Sequence, residues 1–253
     1  MVSVVIITPA DTALVYENSD ERRRFTDLCI SQFDKVYLQH LSEYMKLLDT
    51  RNRQLKQFAE AGYFDDIIIE SLDSRMVAAG NYIYEKRLQF LKGLQGYFQD
   101  FYAKISGEKD SVGFTYRSDL NDAPFQTLLQ QAIPKDRILE RTTKGIHKDD
   151  LEFEINGFPL KKYGSQGQCK SFLIALKLAQ YAYQKEVSGV APILLLDDIF
   201  EKIDAGRAQN LIDLIAGEDF GQIIITDTHK DRVELHLSPL HKPKKFIHLT
   251  HGA

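Results

Sequence analysis

No Gly-x-x-x-x-Gly-Lys-Ser/Thr segment occurs anywhere in the 253 residues, which excludes a self-contained P-loop for cradling nucleotide phosphates. Cysteine is scarce. Cys29 and Cys169 stand far apart, fit no metal-ligand spacing, and point to a reducing compartment rather than a disulfide framework. Long apolar runs are missing as well: Val4 to Ile7 and Ile193 to Leu196 are far too short to span a bilayer, so no membrane partner is expected. The start has no basic stretch and no small-residue cleavage site, which argues against a signal peptide. There is no excess of positive charge. A net charge of −4 argues against a uniformly basic nucleic-acid binder, leaving local patches at Arg22 to Arg24, Lys161-Lys162 and the segment from Lys242 to Lys245. No internal repeat or low-complexity tract is present.

What is present suffices for a folded, soluble protein: 43% hydrophobic and 27% charged residues. Val2 to Ile7 reads as a buried strand, followed by a short helix or turn opened by Pro9 with Asp11 in its first turn. Tyr37, Leu41, Tyr44, Leu48, Leu55 and Phe58 alternate four and three apart, with Arg51 in the one missing place, which is a heptad seam. Ala61-Gly62-Tyr63 breaks the pattern. A second seam runs from Leu72 through Met76, Ala79, Ile83, Phe90 and Leu94 to Tyr97 and Phe101, so an antiparallel helical hairpin is predicted. Further on, Phe114, Tyr116 and Leu120 suggest a strand, and Ala123 to Ala132 a short helix, with Pro134 opening something new. Leu151 to Phe158 reads as a hairpin about an Asn-Gly turn. A helix with Phe172, Ala175, Leu176, Ala179 and Tyr183 on one face follows, then another over Ala208 to Ala216. Buried strands are expected at Ile193 to Leu196 and Gln222 to Thr226, and a last strand at Lys245 to Leu249.

Two segments carry chemistry. Ser165-Gln166-Gly167-Gln168 opens a helix, where backbone N–H groups, a hydroxyl and a glycine can meet phosphate oxygens; an ordinary capped helix has the same pattern. The Ile-Leu-Leu-Leu strand ends in Asp197 and Asp198 at the sheet edge where open α/β folds bind ligands. Asp197 would hold magnesium and Asp198 would orient an attacking water, against the alternative of an N-capping pair. His229, just past the second strand, could reach the same phosphate or water, or lie on the surface.

Together these pieces resemble the ABC-type ATPase head, and most closely the RecF family of bacterial recombination proteins. Gly164 to Gln168 resembles its signature loop, Leu194 to Phe200 its Walker B strand, Glu201-Lys202-Ile203-Asp204 its D-loop, and Asp227-Thr228-His229 its switch. Ser19 to Phe25 is similar to the family's Glu-Arg-Arg-Arg-Phe entry into the helical lobe, and Gly145 to Asp150 to its Gly-Pro-His-Arg-Asp-Asp turn. The resemblance implies an α/β fold: part of an ABC-type P-loop head, a mixed sheet flanked by helices, with an inserted antiparallel helical hairpin lobe. The expected division is 1–18 as the end of the first ATPase lobe, 19–108 as the helical arm and 109–253 as the signature and Walker B half. It further implies ATP and Mg2+ as cofactors, dimerisation on ATP, and DNA (single-strand gaps or duplex junctions) with RecR- and RecO-type mediators as partners in the bacterial cytoplasm. Asp198 and His229 would be catalytic and Asp197 the metal ligand. Ser165, Gln166, Gly167, Gln168 and Asp204 would contact nucleotide held by a second subunit, and Arg22, Arg23 and Arg24 would contact DNA or, equally, pair with nearby acids such as Glu17 and Asp20.

The chain departs from the pattern in four places, one of them Ile146 where the family's turn has proline, a change expected to be tolerated. The first lobe with its Walker A lysine is absent from the 253 residues, no glutamine stands in Pro9-Ala10-Asp11, and the second carboxylate is the shorter Asp198 rather than Glu. Without the lysine and its loop, the residues present supply a metal ligand and a contact for another subunit's ATP, and the sheet is expected to expose an edge. A rival reading is a non-catalytic scaffold of the same shape that binds DNA or a repair partner; a third is an SMC-like head from a toxin or anti-phage system.

Overall fold

A computed structural model describes residues 3–107, 109–201, 203–217, 220–238 and 243–248. Val2, Lys202, Lys242 and Leu249, which figured in the sequence reading, lie outside them. The chain begins with strand β1 (Val4–Ile7), a 3-10 turn at Pro9–Thr12 and short α1 (Ala13–Tyr16). Helices α2 (Ser19–Ser31), α3 (Lys35–Ala61) and α4 (Asp66–Ser106) follow. Their starts are set by Asn18, Asp34 and Asp65, each accepting a backbone N–H from the first turn. Gly62, at φ +69°, ends α3 in the left-handed region that a glycine adopts without steric cost, and α4 returns antiparallel along it. The predicted hairpin is present, but its arms differ: α3 has 27 residues and α4 has 41.

Strand β2 (Val112–Arg117), helix α5 (Phe125–Leu139), strands β3 (Asp150–Ile155) and β4 (Phe158–Pro159) and short α6 (Leu160–Tyr163) come next. Leu120 falls in a 3-10 turn beyond β2. Pro134 does not open a new element; it sits inside α5, on the exposed side. The carbonyl it leaves without a partner, that of exposed Gln130, can turn to water, while buried Asp136 anchors the following turn. The β3–β4 hairpin turns through Asn156 and Gly157 at φ +51° and +78°, as Asn-Gly predicts. Helix α7 (Gln166–Ser188), strand β5 (Ile193–Asp197), α8 (Ala205–Ile215), β6 (Ile223–Thr226) and α9 (Lys230–Leu237) complete the order. Residues 243–248 form no strand.

The described strands make two three-stranded sheets. One is parallel, in the order β1-β5-β6, with Ile7 opposite Leu196 and Asp197 opposite Thr226. All three strands therefore end on one edge. The other is antiparallel, β2-β3-β4. The parallel strands are buried on one face only. Val5, Ile7, Leu194 and Leu196 are buried, whereas Ile6 and Ile224 are 46% and 45% exposed. The unbroken apolar runs thus reflect one packed face and one open face among the described residues, not the double burial expected.

Helix α7 is buried around most of its circumference, with Leu173, Ile174 and Leu178 joining the predicted face. Phe172 meets Phe98 of α4 at 4.6 Å and Phe153 of β3 at 4.9 Å between ring centroids. The long helix α4 is therefore arm at one end and core at the other: one hydrophobic cluster runs along it from Met76 into the head, while Leu55, Phe58 and Ile69 near the arm's turn form a separate small cluster. No described helix is long and apolar enough to cross a membrane.

Candidate functional site

The parallel sheet brings the two motif carboxylates and the histidine to one edge. Asp197 is exposed at the end of β5, and Thr226 of β6 donates its hydroxyl to Asp197 Oδ1 at 2.5 Å. Asp198 follows in the left-handed region at φ +46°, a conformation that costs a residue bearing a Cβ. Its N–H donates to the Thr226 carbonyl at 3.1 Å, and its Oδ1 is buried without a hydrogen-bond partner among the described residues. A strained backbone and an orphaned carboxylate oxygen at a strand end are costly for stability alone. His229 begins α9 with its side chain 72% exposed; its ring meets Thr228 Oγ1 at 2.9 Å, and its N–H donates to Asp227 at 2.7 Å.

Among the described residues no group of three or more His, Cys, Asp or Glu side chains forms a metal cage. Magnesium does not need one: it keeps several waters and is held by one or two carboxylates together with phosphate oxygens. The exposed Asp197, at the sheet edge, fits that donor set.

At the start of α7 the capping box is complete. Ser165 Oγ accepts the Gln168 N–H at 3.2 Å, and Gln168 Oε1 accepts the Ser165 N–H at 2.9 Å. The Gln168 side chain is further tied to Asp110 at 3.0 Å, so it shapes the loop rather than facing outward. Burial would raise the Asp110 carboxyl, but hydrogen bonds from Gln168, Asn156 and Tyr102 outweigh it and hold it below its ordinary value. Exposed Ser165 keeps its O–H to donate, and the Gln166 and Gly167 N–H groups occupy the first turn, where helix donors lack intrahelical partners.

Lys170, one turn in, joins the two motifs. Its Nζ donates to the carbonyl oxygens of Asp198, at 3.0 Å, and Glu201. Asp204 caps α8 by accepting the Arg207 N–H at 3.0 Å, and Arg207 reaches back to Ser171 of α7 at 3.4 Å. The start of α7 is thus braced against the turn after β5. Sequence reasoning missed Lys170 and Thr226, for which only the pairing of these elements gives a signal.

The arginine triplet lies elsewhere. Arg22 grips Asp150 through two bonds of 2.7 and 3.0 Å and also donates to the Leu14 and Glu17 carbonyls. Arg23 donates to the Asp149 carbonyl at 2.5 Å and to Asp20. Of the three, only Arg24 is exposed. The same turn holds Arg87, 2% exposed, which binds Asp149 at 2.8 Å, the Ile146 carbonyl at 2.9 Å and Asp27 at 3.0 Å. The two segments that sharpened the resemblance are therefore the two sides of one ionic junction between arm and head. His147 in that turn accepts from Tyr44 at 2.8 Å. Burial, with the Lys148 and Arg23 charges, pushes it down to about 4. Arg87 was readable after the fact: it fills the empty place between Ile83 and Phe90 in the second seam, as Arg51 does in the first.

No protein-family model matches the chain. Curated relatives do. A Flavobacterium johnsoniae protein named "DNA replication and repair protein RecF" is 45% identical over 248 residues, covering 98% of this chain and 69% of its own length. A Bacteroides thetaiotaomicron protein of the same name is 41% identical over 249 residues, covering 98% and 67%. Among solved structures, "the recombination mediator protein RecF-ATPrS in RecFOR pathway" superposes with a TM-score of 0.79 at 28% identity, covering 91% of this chain and 63% of that one. The chain thus spans about two thirds of the proteins it matches, and its fold is that of part of an ABC-type ATPase head.

Proposed function

Because this chain belongs to the RecF family, we propose that it serves as the signature and Walker B part of a DNA-binding ATPase of recombinational repair, in which two heads close on ATP. The observation that carries the reading is the strained, orphaned Asp198 beside exposed Asp197, braced through Lys170 to the start of α7. A magnesium ion at Asp197 would neutralise charge building on the β- and γ-phosphates. Asp198 accepts the proton of, or orients, a water facing the terminal phosphate, and His229 contacts the same region. The Ser165 hydroxyl and the Gln166 and Gly167 N–H groups meet the phosphates of nucleotide held by the other subunit. Gln168 and Asp204 keep the loop and the following turn in shape.

Since Arg22 and Arg23 are engaged in the arm–head junction, any DNA contact of that segment falls to exposed Arg24. Mediator proteins of the RecR and RecO type and the bacterial cytoplasm complete the reading, in line with the pathway named for the solved relative. The 253 residues contain no phosphate-cradling loop, so they should show no saturable ATP turnover by themselves. Turnover by the purified chain that Asp198→Ala abolishes would show that the nucleotide site is built differently.

A further inference from the structure

The surface just before α7 carries a second feature. From Ile155 to Lys170 the sequence has no acidic residue and three lysines, in a chain of net charge −4. The segment is pinned from beneath by Ile155, Leu160 and Cys169, all buried. Above these anchors Phe158 and Tyr163 are 53% and 55% exposed, with ring centroids 5.0 Å apart and planes tilted by 45°. Lys162 Nζ lies 5.4 Å from the centre of the Tyr163 ring, and Lys161 is exposed beside it. Lys170 is engaged by the Asp198 and Glu201 carbonyls, so the surface charge of the segment rests on Lys161 and Lys162; the Asp110 carboxylate that reaches the segment gives both its oxygens to Asn156, Gln168 and Tyr102.

We propose that Phe158 and Tyr163, flanked by Lys161 and Lys162, form a stacking platform for the unpaired bases of a single-stranded nucleic acid. Exposed π faces interleaved with ammonium groups are what single-strand binders use: rings take successive bases without regard to sequence, and the cations follow the backbone. A duplex offers no free base face to the rings. Phe158 sits on the two-residue strand β4 and Tyr163 on α6, both held by the tight Asn156-Gly157 turn and the Leu160 anchor, so the rings need little ordering on binding. The proposal rests on the RecF reading only in taking nucleic acid as the partner; it uses none of Asp197, Asp198 or Ser165.

The test is fluorescence anisotropy of the 253-residue chain with a labelled oligo-dT of about 20 nucleotides, the matching duplex, and AMP as competitor. Removing either ring (Phe158→Ala, Tyr163→Ala) should weaken oligo-dT binding about tenfold. Tyr163→Phe should leave it intact, and duplex binding should change little. Lys161→Ala and Lys162→Ala should each lower the slope of affinity against salt by about 0.7. The proposal is overturned if oligo-dT does not bind, if the alanine variants bind it normally, or if duplex binding falls equally. It is also overturned if AMP competes as well as the oligonucleotide does, or if the variants instead abolish self-association in sedimentation. Loss of oligo-dT binding alone leaves the nucleotide reading standing, because that reading is tested separately by ATP-dependent association through Ser165; loss of self-association in the variants would instead assign Phe158 and Tyr163 to the contact between subunits.

Discussion

Replacing Arg51 with methionine should be among the most damaging single changes in the arm. The residue occupies a heptad place in α3 and is fully buried. Its guanidinium meets Asp73 of α4 and Asp136 of α5 at 2.6 Å each and Thr142 at 3.0 Å, joining three elements at one point. Methionine fills much of the volume but leaves two buried carboxylates facing each other without a cation. Breaking a buried pair by removing one partner costs about 3–5 kcal/mol. For a chain of this size each kcal/mol shifts the melting temperature by roughly 2–4 °C, so a drop on the order of 10 °C is expected. Urea titration followed by circular dichroism, with thermal melts alongside, measures both. Arg53→Ala is the internal control: its pair with Asp49 is exposed on both sides and should contribute no more than about 0.5 kcal/mol. Adding Asp73→Leu to Arg51→Met should recover part of the loss, because one stranded charge is gone. A loss below about 1 kcal/mol for Arg51→Met would refute the reasoning, since the pair would then behave as a solvated one.

The remaining expectations are briefer. Folded His147 takes a proton only near pH 4, whereas an unfolded histidine does so near pH 6.5, so the unfolded state binds more protons between those values. Stability should be complete above about pH 6.5 and fall by roughly 3 kcal/mol as the pH drops to 4, and His147→Gln should flatten that slope in a pH series of urea titrations. At Gly164 an added Cβ would lie 2.8 Å from the Leu160 carbonyl oxygen and 2.9 Å from Cys169 Sγ. Gly164→Ala should therefore cost about 1–3 kcal/mol and increase amide exchange across 163–169, while Gly96→Ala, in open space on α4, should be neutral or stabilising.

The helical hairpin was legible because its periodicity is long and its turn is a glycine, and both seams lie where the spacing put them. The ionic junctions were half legible: Arg51 was seen as a gap in an apolar seam, but its partners Asp73 and Asp136 are 22 and 85 residues away, and nothing local marks them. The arginine triplet was legible only in part: its pairing with a nearby acid, Asp20, could be read locally, but its longer-range partners could not. A cluster of cations reads as a surface for phosphates, whereas Arg22 and Arg23 are fixed by the Asp149-Asp150 turn some 126 residues on. Pro134 misled because propensity alone ends a helix there, and tertiary anchoring of Asp136 overrode it. Both motif segments of the candidate site were readable as local patterns. Their brace was not, since Lys170 reaches across 28 residues to a backbone carbonyl.

The central claim is tested most directly by ATP-dependent association between this chain and a full-length family member that carries its own phosphate-binding loop, measured by analytical ultracentrifugation. Association that appears with ATP and magnesium, and disappears with Ser165→Arg in this chain, is the expected result. Association indifferent to ATP, or unaffected by Ser165→Arg, would contradict the account.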